Sequence, residues 1–240
     1  MRSANTSYKR MRAGDSARYR QRPYFAVKRV CDIALAAVLL IPAAAVIGLC
    51  CVAIKIETRA PVFYVQERPG YKGKTIKIVK LRTMIMETER DGRPLADMER
   101  MTKTGRIIRA LSMDELPQIF NILRGEMSFI GPRPLHVNYL SRYSDEQMRR
   151  HDVLPGISGW AQVNGRNAIS WDKKFELDIW YVDHAGMKLD MRIFIMTIIS
   201  MVKRQGINAD AGDTMEEFTG SKTGPKTGRD EALPDLGDER

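Results

Sequence analysis

The pattern of apolar and polar positions separates one long apolar run from a patterned middle and two polar ends. Residues 33–54 are 22 consecutive uncharged residues, nearly all of them apolar. As one straight helix they would reach about 33 Å, enough for the roughly 30 Å hydrocarbon core of a membrane. Two short strands are predicted at Val62–Gln66 and Thr75–Leu81, and Arg68-Pro69-Gly70-Tyr71-Lys72-Gly73-Lys74 between them has the punctuation of a hairpin. The charged stretch 84–104, with Asp91-Gly92-Arg93-Pro94 inside it, reads as a mobile loop with frayed helix. Gly105–Leu111, Met113–Leu123, Tyr139–His151 and Trp171–Val182 read as helices. The Gly- and Pro-rich stretch Val153–Arg166 reads as loop. Met191–Val202 is an apolar helix of 12 residues, too short to span. With Lys203 and Arg204 behind it, this helix belongs either in a membrane interface or on a core.

Charge changes this picture. The chain holds 39 Lys and Arg against 29 Asp and Glu, a net +10, which implies an anionic partner. Residues 1–29 carry nine bases and one acid, whereas residues 205–240 carry four bases and nine acids. Both ends are poor in large apolar residues and cannot offset the entropy of ordering, so 1–22 and 210–240 read as a disordered basic arm and a disordered acidic tail. The three cysteines cannot form a disulfide framework, and no Cys/His cluster has zinc-site spacing. A metal would need oxygen ligands.

The basic flanks bear on topology. The arm lies upstream of the apolar run; Lys55, Arg59, Arg68, Lys72, Lys74, Lys77, Lys80 and Arg82 lie downstream. Positive charge beside a membrane segment prefers the cytoplasm, and a simple span would have to export one flank. Pro42 sits near the middle of the run, where it removes a helical hydrogen bond and kinks the axis. A helix over 23–57 that enters, bends at Pro42 and leaves by the same face satisfies both flanks. The rivals are a true span and a kinked helix buried in a soluble core.

Four groups of residues could carry chemistry. Asp114-Glu115 is an adjacent carboxylate pair at a helix start. Ser112-x-x-Glu115 has the form of a capping box, but that register puts Pro117 at the fifth helical position; a start at Asp114 puts Pro117 in the first turn, where its missing N–H costs nothing. The second register is preferred. In either one the helix dipole favours ionised carboxylates, and Arg109 flanks them. They could offer one nucleophile and one metal or positioning ligand. Gly131-Pro132-Arg133-Pro134 stiffens the backbone around a guanidinium that can bind phosphate bidentately. Lys80-x-Arg82-Thr83 puts two cations at the hairpin's end. The loop Pro155–Trp160 leads to Gly165-Arg166-Asn167 and is neither a P-loop nor a dinucleotide fingerprint. The bland readings are a solvated carboxylate pair, a rigid turn and a strand end. His136, His151 and His184 read as structural.

Taken in order, KRVCDIALA, the Pro-interrupted apolar run, VQERPGYKGK, VKLRTM, SMDELPQIFNILRGEMSFIGPRPL, LPGISGWAQVNGRN and LDIWYVDHAGMKLDMRIF resemble the bacterial sugar transferase family, the monotopic polyprenol-phosphate phosphoglycosyl transferases. The match covers about 28–205. It implies transfer of a sugar-1-phosphate from a UDP-sugar to undecaprenyl phosphate with release of UMP. This is the initiating step of exopolysaccharide or other surface glycan synthesis, at the cytoplasmic face of the bacterial inner membrane. It implies Asp114 as covalent nucleophile, with Glu115 organising phosphates, and both carboxylates holding Mg²⁺. Lys80, Arg109, Arg133 and Arg166 would handle phosphates or the nucleotide, with Asp178 and Asp190 near the same site; Arg82 joins the phosphate-binding candidates from the Lys80-x-Arg82-Thr83 pattern alone.

The fold expected is α+β and mainly helical: one re-entrant membrane helix, a small β-hairpin and interfacial amphipathic helices around a single catalytic core over 58–209. Ile41-Pro42 keeps the helix-breaking proline but lacks a hydroxyl residue before it. Anionic membrane lipid is an implied partner and homodimerisation is compatible with the resemblance. Nucleic acid is not expected: the basic residues lack interleaved aromatics and DNA-reading motifs. The rival class is a basic, membrane-anchored, non-catalytic protein that binds nucleic acid or anionic lipid.

Overall fold

The apolar run forms one 36-residue helix, α1 (Pro23–Thr58), with Pro42 inside it. The structure is a computed structural model that describes residues 23–165, 169–202 and 217–220. Arm residues 1–22, Arg166 and most of the acidic tail lie outside the described residues. Along α1 the buried positions are Lys28, Asp32, Ala36, Ala43, Cys50 and Ile54, spaced by multiples close to a helical turn and so sharing one face. Small residues at Ala36 and Ala43 let Ile76, Ile78, Ile119 and Ile122 pack close to the helix. The opposite face leaves Val30, Val38, Ile41, Leu49, Val52 and Ile56 exposed, Ile41 at 80 %.

Polar contacts fasten α1 to the rest of the chain at both ends. Arg29 donates to the carbonyl oxygens of Ile122 at 2.6 Å and Leu123 at 3.1 Å. Asp32 accepts from the Phe129 N–H at 3.3 Å. At the other end Glu57 accepts from the backbone N–H groups of Lys103 and Thr104 at 2.8 and 2.9 Å.

The hairpin is present as β1 (Phe63–Pro69) and β2 (Thr75–Leu81), antiparallel with Phe63 opposite Leu81 and Pro69 opposite Thr75. Inward-facing Ile76, Ile78 and Leu81 pack against α1. The stretch 84–104 is ordered where a mobile loop was expected. It forms the tiny hairpin β3 (Glu89–Arg90) and β4 (Arg93–Pro94), then α2 (Asp97–Arg100) and α3 (Lys103–Ala110). Charge composition suggested mobility, but the charges pair locally: Arg93 grips Glu99, and Glu99 also accepts the Ala96 N–H at 2.9 Å. Thr102 caps α3 by accepting from Gly105 N–H. A side chain at Gly105 would meet the Thr83 carbonyl oxygen at 2.0 Å, so only glycine allows this approach.

Met113–Gln118 is a 3₁₀ turn that passes into α4 (Ile119–Arg124). Ser112 is left-handed, φ 54°, and makes no side-chain cap bond, so the capping box does not form. Pro117 falls inside the 3₁₀ turn, ahead of the α-helix proper, where a missing N–H is tolerated. β5 (Ser128–Ile130) and the later β6 (Gly156–Ser158) form a parallel pair that periodicity did not reveal, because three-residue strands carry too little pattern.

The predicted helix Tyr139–His151 is instead a 3₁₀ turn at Val137–Ser141, α5 (Asp145–Met148) capped by Ser144, and a second 3₁₀ turn at Arg149–His151. Ser144 with Gln147 makes a true capping box, which starts a new helix rather than continuing an old one. α6 (Trp160–Val163), α7 (Trp171–His184) and α8 (Met187–Val202) complete the described fold. α8 packs on the core along one face and leaves apolar side chains exposed along another. Ile193 is fully buried in the core with Tyr181 and Val182, while Met191, Phe194, Ile195, Ile198 and Ile199 stay exposed. The result is a mainly helical chain with three two-stranded sheets and one long apolar helix among the described residues.

Candidate active site

A cleft of about 1180 Å³ opens between the hairpin, the Met113–Gln118 turn, the residues after β5 and α7. Lys80, Arg82, Arg109, Asp114, Glu115, Arg133 and Asp178 all line it. The fold thus gathers around one space these residues that the sequence singled out; Arg166 lies outside the described residues.

Each cation is aimed by local structure. Lys80 comes from β2, next to the 3₁₀ turn, and its ammonium lies 2.8 Å from Glu115 Oε1. Arg133 follows the end of β5. Gly131 lets that backbone lie against the loop before β6, where a side chain would meet the Leu154 carbonyl oxygen at 2.4 Å. Arg133 places Nη2 2.5 Å and Nη1 3.4 Å from the Glu115 carboxylate. Arg109, near the end of α3, donates to the Thr83 hydroxyl at 3.0 Å. Arg82 donates to the carbonyl oxygens of Pro61 and Phe63 and lies over the Tyr64 ring. It braces the hairpin while presenting charge to the cleft.

The two carboxylates thus play different parts. Burial works to raise the pKa of Glu115, but Arg133 and Lys80 outweigh it and hold the group at about 2. Glu115 is a pinned anion. Asp114 accepts no hydrogen bond among the described residues. Burial first, then the neighbouring Glu115 charge, raise its pKa, against the pull of Lys80, Arg109 and Arg133. An ionised Asp114 is therefore a poorly solvated carboxylate with no committed partner, the state that favours attack on an electrophile. Arg133 remains 43 % exposed, so part of its guanidinium stays available to an anion in the cleft.

Several cleft residues were not found in the sequence. Arg68 sits in the predicted hairpin yet is half-buried in the cleft, where burial and then Arg133 lower its pKa. Two guanidiniums facing one space repel each other until an anion enters it. His136 and Lys174 also line the cleft. Most consequential is Arg150. It is 1 % exposed, donates twice to Asp178 at 2.6 and 3.0 Å, and donates to the Arg133 carbonyl oxygen at 2.7 Å. A buried arginine is revealed only by its partner, and Asp178 is remote in sequence.

Asp190, which the resemblance implied near the same site, is placed apart from the other acids. It does not line the cleft. It accepts from the hydroxyls of Tyr24 at 2.6 Å and Tyr181 at 2.8 Å and pairs with Lys28. Its place at the start of α8 faces the first turns of α1, so it ties the two helices together.

Asp114 and Glu115 are adjacent carboxylates in the cleft that could hold a metal. No group of three or more His, Cys, Asp or Glu suited to a metal occurs among the described residues. This set fits magnesium, which commonly takes one or two carboxylates and completes its shell with substrate phosphates and water.

A cleft lined by cations around the Asp114-Glu115 carboxylates thus lies beside a long apolar helix. Residues 23–204 match the family model of the bacterial sugar transferases. The chain is 48% identical over 195 residues to the uncharacterized sugar transferase EpsL of Bacillus subtilis, covering 81% of this chain and 96% of that one. It is 42% identical over 185 residues to a UDP-N-acetylgalactosamine-undecaprenyl-phosphate N-acetylgalactosaminephosphotransferase of Aeromonas hydrophila, covering 73% of this chain and 43% of that one. With a UDP-glucose:undecaprenyl-phosphate glucose-1-phosphate transferase of Escherichia coli it shares 38% identity over 184 residues, 72% of this chain and 39% of the other. The chain therefore spans less than half the length of these last two relatives. It belongs to the bacterial sugar transferase family and is an enzyme, which sets aside the non-catalytic rival.

Proposed function

We propose that the protein transfers a sugar-1-phosphate from a UDP-sugar to undecaprenyl phosphate, releasing UMP, as the first step of exopolysaccharide or other surface glycan synthesis. The observation that carries this reading is the uncommitted Asp114 carboxylate in a cleft of cations, beside a Glu115 held by Lys80 and Arg133. The names of the relatives support the two substrates.

Asp114 attacks the sugar-linked phosphorus. The bond from that phosphorus to the bridging oxygen breaks, and UMP leaves with the oxygen and its electron pair. The acyl phosphosugar on Asp114 is then attacked by an oxygen of undecaprenyl phosphate, which releases the carboxylate and forms the lipid diphosphosugar. Positioning and charge neutralisation dominate such displacements. Lys80, Arg109 and Arg133 supply positive charge around the reacting phosphates, and Glu115 keeps Lys80 and Arg133 at fixed positions. Arg68 and Arg82 extend the positive wall. Magnesium held by Asp114 and Glu115 would further neutralise the pyrophosphate.

The enzyme works at the cytoplasmic face of the inner membrane, with α1 entering and leaving by that face. The support is that both ends of α1 grip the same catalytic unit, Arg29 at Leu123 and Glu57 at Lys103. A helix crossing a membrane would carry one end away. The exposed apolar residues of α1 and α8 supply the lipid-facing surface.

The test is a single-turnover experiment. Purified enzyme given UDP-sugar without lipid acceptor should release about one UMP per active site and gain a sugar-phosphate mass on the peptide containing Asp114. UMP release only in the presence of the lipid acceptor, with no modified peptide, would refute the covalent role.

A further inference from the structure

Phe218 is the only aromatic residue after Phe194, and it lies in a polar, acidic stretch. The reading of 210–240 as disordered does not account for it: residues 217–220 are described, and Phe218 is 2 % exposed. Its ring lies among four others. The centroid is 5.0 Å from Phe175 in an edge-on arrangement, 5.6 Å from Tyr139 and from Trp171, and 5.8 Å from Tyr143 in a stacked one. All fall in the range in which aromatic pairs attract.

Polar contacts fix the backbone of the same segment. The Phe218 N–H donates to the Tyr139 hydroxyl at 3.3 Å. Arg142 pairs with the Glu217 carboxylate at 2.7 Å and also donates to the Phe218 carbonyl oxygen. Ring, amide, carbonyl and neighbouring carboxylate are thus each met by the folded unit. That is how a short peptide motif is recognised, by one buried anchor and a few polar contacts.

The cage is also placed where its filling matters. Tyr139 and Arg142 follow directly on the Arg133–His136 segment. The Arg150 guanidinium lies 5.9 Å from the Tyr143 ring centroid and 5.7 Å from that of Phe175. The rings that hold Phe218 therefore also pack Arg150, the residue beneath the Arg133 carbonyl. We propose that Tyr139, Tyr143, Trp171, Phe175 and Arg142 form a docking site for a Glu-Phe motif, and that Glu217-Phe218 of this chain's own tail occupies it as an intramolecular latch bracing the Arg150–Arg133 support.

The latch is tested without using turnover, so its failure is separate from any failure of the transferase reading. In the full-length protein, a photoreactive benzoylphenylalanine replaces Phe218. Irradiation of a mixture of isotopically light and heavy protein should give cross-links to Tyr139, Tyr143, Trp171 or Phe175 within one chain. Cross-links scattered elsewhere, or joining light to heavy chains, overturn the latch. The second measurement uses a fluorescent peptide of residues 213–221 and the full-length Glu217→Ala/Phe218→Ala variant. Both substitutions lie in the tail, and circular dichroism checks that the fold is kept. The peptide should bind this variant saturably and bind wild type about tenfold or more weakly, because the tethered tail competes at high effective concentration. A peptide with alanine in place of phenylalanine should not bind. Equal binding to both proteins, or none to the variant, overturns the proposal.

Discussion

Arg150 and Asp178 form an ion pair that is 1 % and 3 % exposed, and the same guanidinium supports the Arg133 backbone. Burial favours the neutral form of Asp178, and Arg150 opposes it. Breaking such a pair from one side leaves a buried charge without a partner, which costs about 3–5 kcal/mol. Asp178→Asn should therefore lower stability by that order, as measured by denaturant unfolding in detergent micelles. The double variant Arg150→Met/Asp178→Leu should recover much of that stability yet remain poorly active, since Arg133 loses its support.

Arg133→Lys keeps a charge but loses the planar fork that now meets both oxygens of Glu115. Transition-state stabilisation should fall by about 1.5–3 kcal/mol, roughly 10- to 150-fold in kcat/KM. Near-normal turnover would show that Arg133 supplies only a general positive field.

Asp114→Asn and Glu115→Gln should separate the two carboxylates. The asparagine variant should fold, bind membranes and release no UMP at all, because no anionic nucleophile remains. The glutamine variant should keep a trace of the UMP release seen without acceptor, because Asp114 is intact while Lys80 and Arg133 lose their common partner.

Stability should also depend on pH through His151. Burial first, then the charge of Arg150, hold this imidazole at about 3, well below its ordinary value near 6.5. Between those values the unfolded chain takes up a proton that the native chain refuses. Stability is therefore intact above about pH 6.5 and falls as pH drops, by roughly 1.4 kcal/mol per pH unit from this group alone. His151→Gln should flatten that slope in a pH series of unfolding midpoints. An unchanged slope would show that His151 protonates freely in the folded state.

Topology can be read chemically. In a protein freed of its native cysteines, single cysteines at Arg20 and Lys72 should both be labelled only from the cytoplasmic side. Labelling from opposite sides would establish a span. Pro42→Leu restores a hydrogen bond and should shift some molecules toward spanning.

Local signals made part of this molecule legible. Thr75–Leu81 alternates in sequence and forms a strand of those bounds. Lys80, Asp114, Glu115 and Arg133 stood out by residue type and by stiff or helix-starting surroundings, and the fold brings them together. What stayed hidden depends on distant partners. Nothing in Asp114-Glu115 says which carboxylate is pinned; that is decided by the hairpin on one side and the turn after β5 on the other. Asp190 was named only through the resemblance, and its tie to Tyr24, Lys28 and Tyr181 depends on partners remote in sequence. The strand Ser128–Ile130 needs its parallel neighbour to exist at all. Phe218 was hidden by the polar composition around it.

The grip of α1 on the catalytic unit has a practical corollary for engineering. Arg29 closes the carboxyl end of the helix that continues from Asp114-Glu115, Asp32 holds the strand leading to Arg133, and Glu57 caps the helix carrying Arg109. The anchor is thus part of the jig that sets the distances among the reacting groups. A chimera in which an unrelated hydrophobic helix replaces residues 23–58 should still partition into membranes and should still be inert, and restoring Arg29, Asp32 and Glu57 at matching positions on the foreign helix would be the minimum graft needed to bring it back.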